Sequence, residues 1–145
     1  MSEHTAKISW AKQGEFSHKG FDRTHVSEFY PDCKVSMAGA NNGSLADPEQ
    51  MFVVSLASCH MQTFLLLAAK KRLVVESYED TATAVLAKNE EGLFFIESTT
   101  LNPVAVFSAD TPVSAEVLRK MHDKAHHHCF IANSISCPVE IKLES

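Results

Sequence analysis

Cys59 stands inside a long apolar run, Met51 to Ala69, whose other polar residues are Ser55, Ser58, His60, Gln62 and Thr63. A second cysteine, Cys129, closes the histidine-bearing segment Ala125-His126-His127-His128-Cys129. A thiol among small and polar residues, with another thiol elsewhere in the chain, is a candidate nucleophile and resolving pair. The first would be oxidised to a sulfenic acid and the second would condense with it to a disulfide. A lone cysteine in a helix is more commonly an inert small hydrophobe, so this reading depends on the residues around the pair.

The histidines suggest a different chemistry. His122 and His126 are four apart on one helix face, with His127, His128 and Cys129 following, and imidazoles at that spacing can share a metal ion. No further carboxylate or cysteine ligand stands at a fixed spacing. Solvent-exposed histidines at a helix end, favourable against its negative pole, explain the cluster more simply. No metal and no cofactor are therefore expected. His60 points about 100° around the helix from Cys59 and is expected to be a packed core residue rather than a general base. Cys33 and Cys137, in or beside strands, are expected to be structural thiols.

The elements that must position these groups are legible in outline. Lys7 to Ala11 and Lys34 to Ala38 alternate apolar and polar residues and read as short strands. Ser17 to Tyr30 is polar with scattered aromatics and no clear period, which suits a loop able to deliver a side chain to a site. Ala38 to Ala46 is small and rich in Gly and Asn, a second loop. Asp47 caps a helix whose first position is Pro48, and Glu49 suits the positive end of its dipole. This helix runs to about Lys71 with a possible break, and its apolar residues surround the circumference, which predicts a central position. Ser77 to Ala87 and Leu93 to Leu101 flank the turn Lys88-Asn89-Glu90-Glu91-Gly92 and read as a hairpin, which Val104 to Phe107 extends. Ser114 caps a second helix over Ala115 to about His127, with Val117, Leu118 and Met121 on its apolar stripe. Val139, Ile141 and Leu143 alternate with charged residues as a last strand. The expected class is α+β, a mostly antiparallel sheet wrapped on two central helices.

A chain of 145 residues fits a single domain, residues 1–145, with a real core. Its net charge of −5, with both signs interspersed, suggests neither a nucleic-acid footprint nor a membrane patch. No basic start followed by an apolar core marks the N-terminal stretch, so a cytoplasmic location is expected. The Met51 to Ala69 run is long enough to raise a membrane span, but its central polar residues favour a buried core helix. In a reducing compartment the four cysteines would form a transient, catalytic disulfide rather than staples.

Asp47-Pro48-Glu49-Gln50, the apolar helix through Ser58-Cys59, and Ala125 to Ser134 with Cys129 at its centre together resemble the OsmC/Ohr family of thiol-dependent hydroperoxide reductases. Element order and the spacing of the two cysteines agree over nearly the whole chain. The resemblance implies an intertwined homodimer with two sites at the interface, Cys59 as peroxidatic thiol and Cys129 as resolving thiol. It further implies an arginine from the N-terminal part, for which Arg23 is the candidate, and a glutamate ahead of the cysteine helix, which Glu49 matches. An organic hydroperoxide is the implied substrate, and an external dithiol, a lipoylated protein or another thiol donor, the implied reductant. Many members carry proline after the resolving cysteine where this chain has Phe130, a difference read as subfamily variation in pocket shape.

Three physical points accompany the resemblance. The thiolate attacks the O–O bond, so Cys59 needs a positive charge that a guanidinium supplies without losing its proton; Glu49 would hold that guanidinium by paired hydrogen bonds. Glu49 and Cys59 lie ten residues apart, about 15 Å along a straight helix. Joining them to one arginine requires a break in the helix, a glutamate from the partner subunit, or an arginine bridging them from a separate loop near a kink. Met51, Phe52, Phe64, Phe130 and Ile131 are expected to line an apolar pocket that favours organic hydroperoxides over hydrogen peroxide. The alternative function is a binding protein on the same scaffold, holding a small hydrophobic ligand or a metal, with incidental cysteines.

Overall fold

Asp47 and Gln50 close the start of the long helix α1, Pro48–Lys70, reciprocally. The Asp47 carboxylate accepts from the Gln50 N–H at 2.8 Å, and the Gln50 side-chain oxygen accepts from the Asp47 N–H at 3.0 Å. This capping box satisfies two otherwise orphaned donors, while Pro48 takes a position where no donor is needed. Asp47→Ala should cost about 1 kcal/mol of stability, read as a lower urea midpoint at unchanged slope. α1 is continuous over its 23 residues, so the break allowed for between Glu49 and Cys59 does not occur.

The computed structural model describes residues 1–144 and is α+β, in two compact units that meet within α1 at residues 51 and 52. The first unit holds β1 (Lys7–Ser9), β2 (Phe16–Ser17), β3 (Gly20–Phe21), β4 (His25–Tyr30) and β5 (Cys33–Met37). β1, β4 and β5 form an antiparallel sheet in that order with β4 central, and β2 and β3 form a small hairpin. Ser17 to Tyr30, expected as a loop, therefore contains the end of β2, all of β3 and the whole of β4. Its pattern misleads because polar Ser27 is buried, its hydroxyl 2.8 Å from the Met37 sulfur, while Phe29 and Tyr30 are exposed.

The second unit holds most of α1, then β6 (Val75–Asp80), β7 (Thr83–Lys88), β8 (Phe94–Leu101), β9 (Pro103–Phe107), α2 (Ala115–His128) and β10 (Val139–Ile141). β7 and β8 pair across the expected turn, where the Asn89 side chain accepts from the Glu91 and Leu93 N–H groups and Gly92 takes φ 79°. The strand expected over Ser77 to Ala87 is two strands. β6 leaves β7 to pair with β9, and the corner is fixed by Asn102, whose N–H donates to Asp80 and whose side-chain amide donates to the Thr81 carbonyl. β10 lies parallel to β8, whereas the other strand pairs among the described residues are antiparallel.

Ser114 caps α2, accepting from the Val117 N–H at 3.2 Å. Within this unit α1 buries Val53, Leu56, His60, Phe64 and Ala68, a stripe with helical spacing. Phe64 and Ala68 meet Met121 and Ala125 of α2 in one cluster, and Leu56, Leu101 and Cys129 form a second. Val54 and Leu66 remain more than half exposed, so the helix is not covered around its whole circumference by its own chain.

Candidate active site

The second core cluster contains both thiols of interest. Cys59 is half-buried on α1, and Cys129, fully buried, is the first residue past α2. Two helices thus bring together residues seventy apart in sequence. The Cys129 backbone is held on both sides: its N–H donates to the His126 carbonyl at 3.3 Å, and its carbonyl accepts from the Asn133 N–H at 3.0 Å. Asn133 also donates through its side-chain amide to the His127 carbonyl, and the Ser134 hydroxyl donates to the Phe130 carbonyl. The short Ala132–Ser134 turn therefore locks the segment that carries the thiol.

Cys59 packs against the cluster in which Cys129 is buried, and neither cysteine is in a disulfide. Burial pushes the Cys129 thiol up to about 11, against the Ala132 N–H, which lowers it; the neighbouring Cys59 raises it further. Cys129 is thus kept protonated beside Cys59. Two cysteines in one cluster, one held as a thiol and the other half-buried, are placed for exchange between dithiol and disulfide.

Beside the pair, His60 and His122 are both fully buried and share a hydrogen bond of 2.9 Å between Nε2 of His60 and Nδ1 of His122. Their rings are parallel to within 2°, and Phe64 stacks on His122 at 4.3 Å. Both are pushed down to about 4, principally by burial, so both are neutral near pH 7. His60 is the core residue expected of it. His122 is not one of a set of exposed helix-end histidines; of the four, His127 and His128 are exposed and His126 is half-buried. Its position between Met121 and Ala125 on the apolar stripe is the signal that places it inside. Among the described residues no group of three or more His, Cys, Asp or Glu side chains is placed to hold a metal ion.

In the first unit, Arg23 lies between β3 and β4 on a well-tied loop. The Asp22 carboxylate accepts from the Thr24 N–H at 2.7 Å, the Asp22 carbonyl from the Trp10 indole at 2.7 Å, and the Arg23 carbonyl from the His25 ring at 2.7 Å. The guanidinium sits 4.5 Å over the Phe21 ring, a cation–π contact. Arg23 and His25 line a hollow of about 300 Å³ whose remaining wall is Ile8, Ser9, Trp10, Phe16 and Phe21. A Cβ at Gly39 would stand 2.9 Å from the Arg23 Cδ, so glycine there leaves room for the arginine. Glu49, in the first turn of α1, has one carboxylate oxygen buried without a hydrogen-bond partner among the described residues.

Several expectations about the surroundings change. Ile131 packs into the cysteine cluster, but Phe64 belongs to the other cluster and Phe130 is 79% exposed. The apolar hollow beside Arg23 is built instead from Trp10, Phe16 and Phe21, whose rings meet at 5.2 to 6.3 Å. Cys33 is exposed at the start of β5 rather than packed as a structural thiol, and Cys137 is half-buried.

Residues 41–144 match the family model described as OsmC-like protein. An OsmC-like protein of unknown function from Vibrio cholerae superimposes with a TM-score of 0.92 and 36% identity, over 99% of this chain and all of that one. The organic hydroperoxide resistance protein OhrB of Bacillus subtilis shares the fold at a TM-score of 0.70 and 19% identity, covering 97% and 98% of the two chains. An organic hydroperoxide resistance protein OsmC from Legionella pneumophila does so at 0.70 and 20%, covering 99% and 97%. No curated protein matches the chain.

Proposed function

Since the chain belongs to the OsmC-like protein family, we propose that it is a thiol-dependent peroxidase that reduces organic hydroperoxides to alcohols, with Cys59 as the attacking thiol and Cys129 as the resolving one. The observation that carries this reading is the packing of Cys59 in the cluster of the buried Cys129, whose thiol its surroundings hold protonated. Structural relatives named for organic hydroperoxide resistance support it.

The steps balance without a cofactor. The Cys59 thiolate attacks the O–O bond of the hydroperoxide, the leaving oxygen takes a proton and departs as the alcohol, and Cys59 becomes a sulfenic acid. Cys129 then displaces water from that sulfenic acid, forming the disulfide, and an external dithiol reduces it in the cytoplasm. Charge orders the two events. While Cys59 is anionic it helps to hold the Cys129 proton, so Cys129 does not compete for peroxide. Conversion of Cys59 to a neutral sulfenic acid removes that contribution and eases ionisation of Cys129 when it is needed.

In this reading Arg23 supplies the charge that stabilises the Cys59 thiolate, and Glu49 holds the guanidinium. The unpartnered Glu49 oxygen supports the second assignment, because a buried acceptor left unpaired is costly. Proteins of this family are generally dimeric, and the uninterrupted α1 favours a glutamate contributed by a second copy. An organic hydroperoxide, unlike hydrogen peroxide, has an apolar part that a lining such as Trp10, Phe16 and Phe21 beside Arg23 would suit. Gly39→Ala should displace Arg23 from Phe21 while leaving the fold intact, and slow Cys59 oxidation roughly 10- to 100-fold. Stopped-flow oxidation at neutral pH checks this, and an unchanged rate removes Arg23 from the chemistry.

The test of the function is a thiol count and intact mass before and after one equivalent of cumene hydroperoxide, followed by peptide mapping and a turnover assay with dihydrolipoamide. Loss of two thiols, a Cys59–Cys129 bridge and sustained turnover are expected. Unreacted thiols in folded, reduced protein would overturn the peroxidase reading and leave ligand binding by the same scaffold.

A further inference from the structure

Asp22 to Thr24 join β3 to β4 and belong to no strand, so side chains hold their backbone. The Trp10 indole donates to the Asp22 carbonyl at 2.7 Å, which orients the Asp22–Arg23 peptide. The Arg23–Thr24 peptide is held at both ends: its carbonyl lies 2.7 Å from Nδ1 of His25, and its N–H donates to the Asp22 carboxylate at 2.7 Å. Because peptides are planar, the two planes that flank an α-carbon set its φ and ψ, and with them the direction in which its side chain departs. The departure of Arg23 is matched further out. Gly39 leaves room for its Cδ, and the guanidinium comes to rest 4.5 Å over the Phe21 ring.

His25 is the group that ties this loop to the sheet. It is the first residue of β4 and pairs in register with Met37 of β5, a buried residue, so its ring reaches back two residues from a fixed strand. A carbonyl oxygen brings no proton, so Nδ1 of His25 is the donor, and it carries that proton in the neutral ring and in the imidazolium alike. The bond therefore holds whichever charge the ring has. We infer that His25 is a positioning residue, which aims the Arg23 guanidinium by donating from Nδ1 to the carbonyl of the arginine itself; this rests on the reading of Arg23 as the charge that stabilises the Cys59 thiolate. An arginine side chain is long and flexible, and its charge acts in one direction only when the backbone that carries it is fixed. Every contact invoked lies within one chain, and none requires a surface left open by a dimer. His25 also lines the hollow beside Arg23, where a direct acid or base role would have to use its other nitrogen, Nε2. The two roles separate by substitution, because an asparagine amide N–H takes the place of Nδ1 and a glutamine amide that of Nε2.

The test measures, on the full chain, the rate of Cys59 alkylation by iodoacetamide at pH 7, assigned by peptide mapping, which follows thiolate fraction and needs no peroxide. Stopped-flow oxidation by cumene hydroperoxide is measured alongside. His25→Leu should slow both roughly tenfold, His25→Asn should return to within about threefold of the wild type because it restores the donor, and His25→Gln should stay as slow as leucine. In Arg23→Met, itself slow, adding His25→Leu should cost nothing further, since a residue that acts through Arg23 has nothing left to aim. Circular dichroism establishes that each variant is folded. A leucine variant at the wild-type rate, rescue by glutamine and not by asparagine, or an equal further loss in the Arg23→Met background would each overturn the inference. Arg23→Met at the wild-type rate would remove the role of Arg23 and that of His25 with it. The expected pattern in alkylation without consumption of peroxide would instead keep the positioning of Arg23 and remove the peroxidase reading.

Discussion

The Cys129→Ser protein is expected to react with one equivalent of organic hydroperoxide and then stop, its mass increased by one oxygen on the peptide that carries Cys59. Cys59→Ser should not react with the peroxide at that position and should lose multiple turnover by about a thousandfold or more, as removal of an attacking nucleophile generally does. The two variants separate roles that a single loss of activity would merge. In the reduced protein the two cysteines pack in one cluster, and Cys129 is held protonated by its burial and by Cys59. On the proposed mechanism, removing Cys129 leaves the first chemical step in place and removes only the group that would displace water from the sulfenic acid. A trapped sulfenic acid should react with dimedone, and the adduct should map to Cys59. Undiminished multiple turnover by Cys129→Ser would mean that reductant attacks the sulfenic acid directly and that the contact between the thiols is incidental. Turnover retained by Cys59→Ser would invert the assignment of the pair.

What the sequence discloses of this site follows the range of the interactions that build it. Asp47-Pro48, the Asn89 to Gly92 turn and Ser114 act within four residues, and each marks its element where the structure has it. That Cys59 and Cys129 lie on a long apolar helix and at the end of a second was legible from the helix caps and apolar residues; that the two pack together is a contact across seventy residues that only the fold displays. β4 was not legible, because its buried position carries Ser27 and its outward ones Phe29 and Tyr30, so hydropathy points to the wrong face. The division between β6 and β7 depends on Asn102, more than twenty residues away, and no local pattern can announce it. The hollow around Arg23 needs Trp10 to reach the Asp22 carbonyl across twelve residues. His122 was within reach: the stripe Leu118, Met121, His122, Ala125 has a regular helical spacing, but a histidine near others invites a surface or metal reading before a core one.

That buried imidazole gives the second large effect, a loss of stability confined to a defined range of pH. His60 and His122 each have an ordinary value of 6.5 and are held at about 4 in the fold, first by burial, then by His126 for His60 and by His60 and Arg119 for His122. Above pH 6.5 both are neutral folded or unfolded, and the contribution is fully present. As the pH falls from 6.5 towards 4 the unfolded chain binds protons that the native core refuses, so stability declines. Below 4 the native state binds them too and this loss levels off. Each imidazole carries about 3 kcal/mol across that window, a large share of the roughly 5–15 kcal/mol that holds a domain together. Carboxylates titrate in part of the same range, so the comparison is with His60→Leu/His122→Leu, which removes both partners and leaves no orphaned nitrogen. Urea unfolding from pH 7.5 to 4.0 should show the wild type losing several kcal/mol more than the double variant. Parallel curves would remove the pair as the source. The pair also joins α1 to α2 at the residue next to Cys59 and seven positions before Cys129. Acidification should therefore separate the thiols before the fold is lost, seen as slower disulfide formation at pH 5 in the wild type than in the double variant once thiolate fraction is matched.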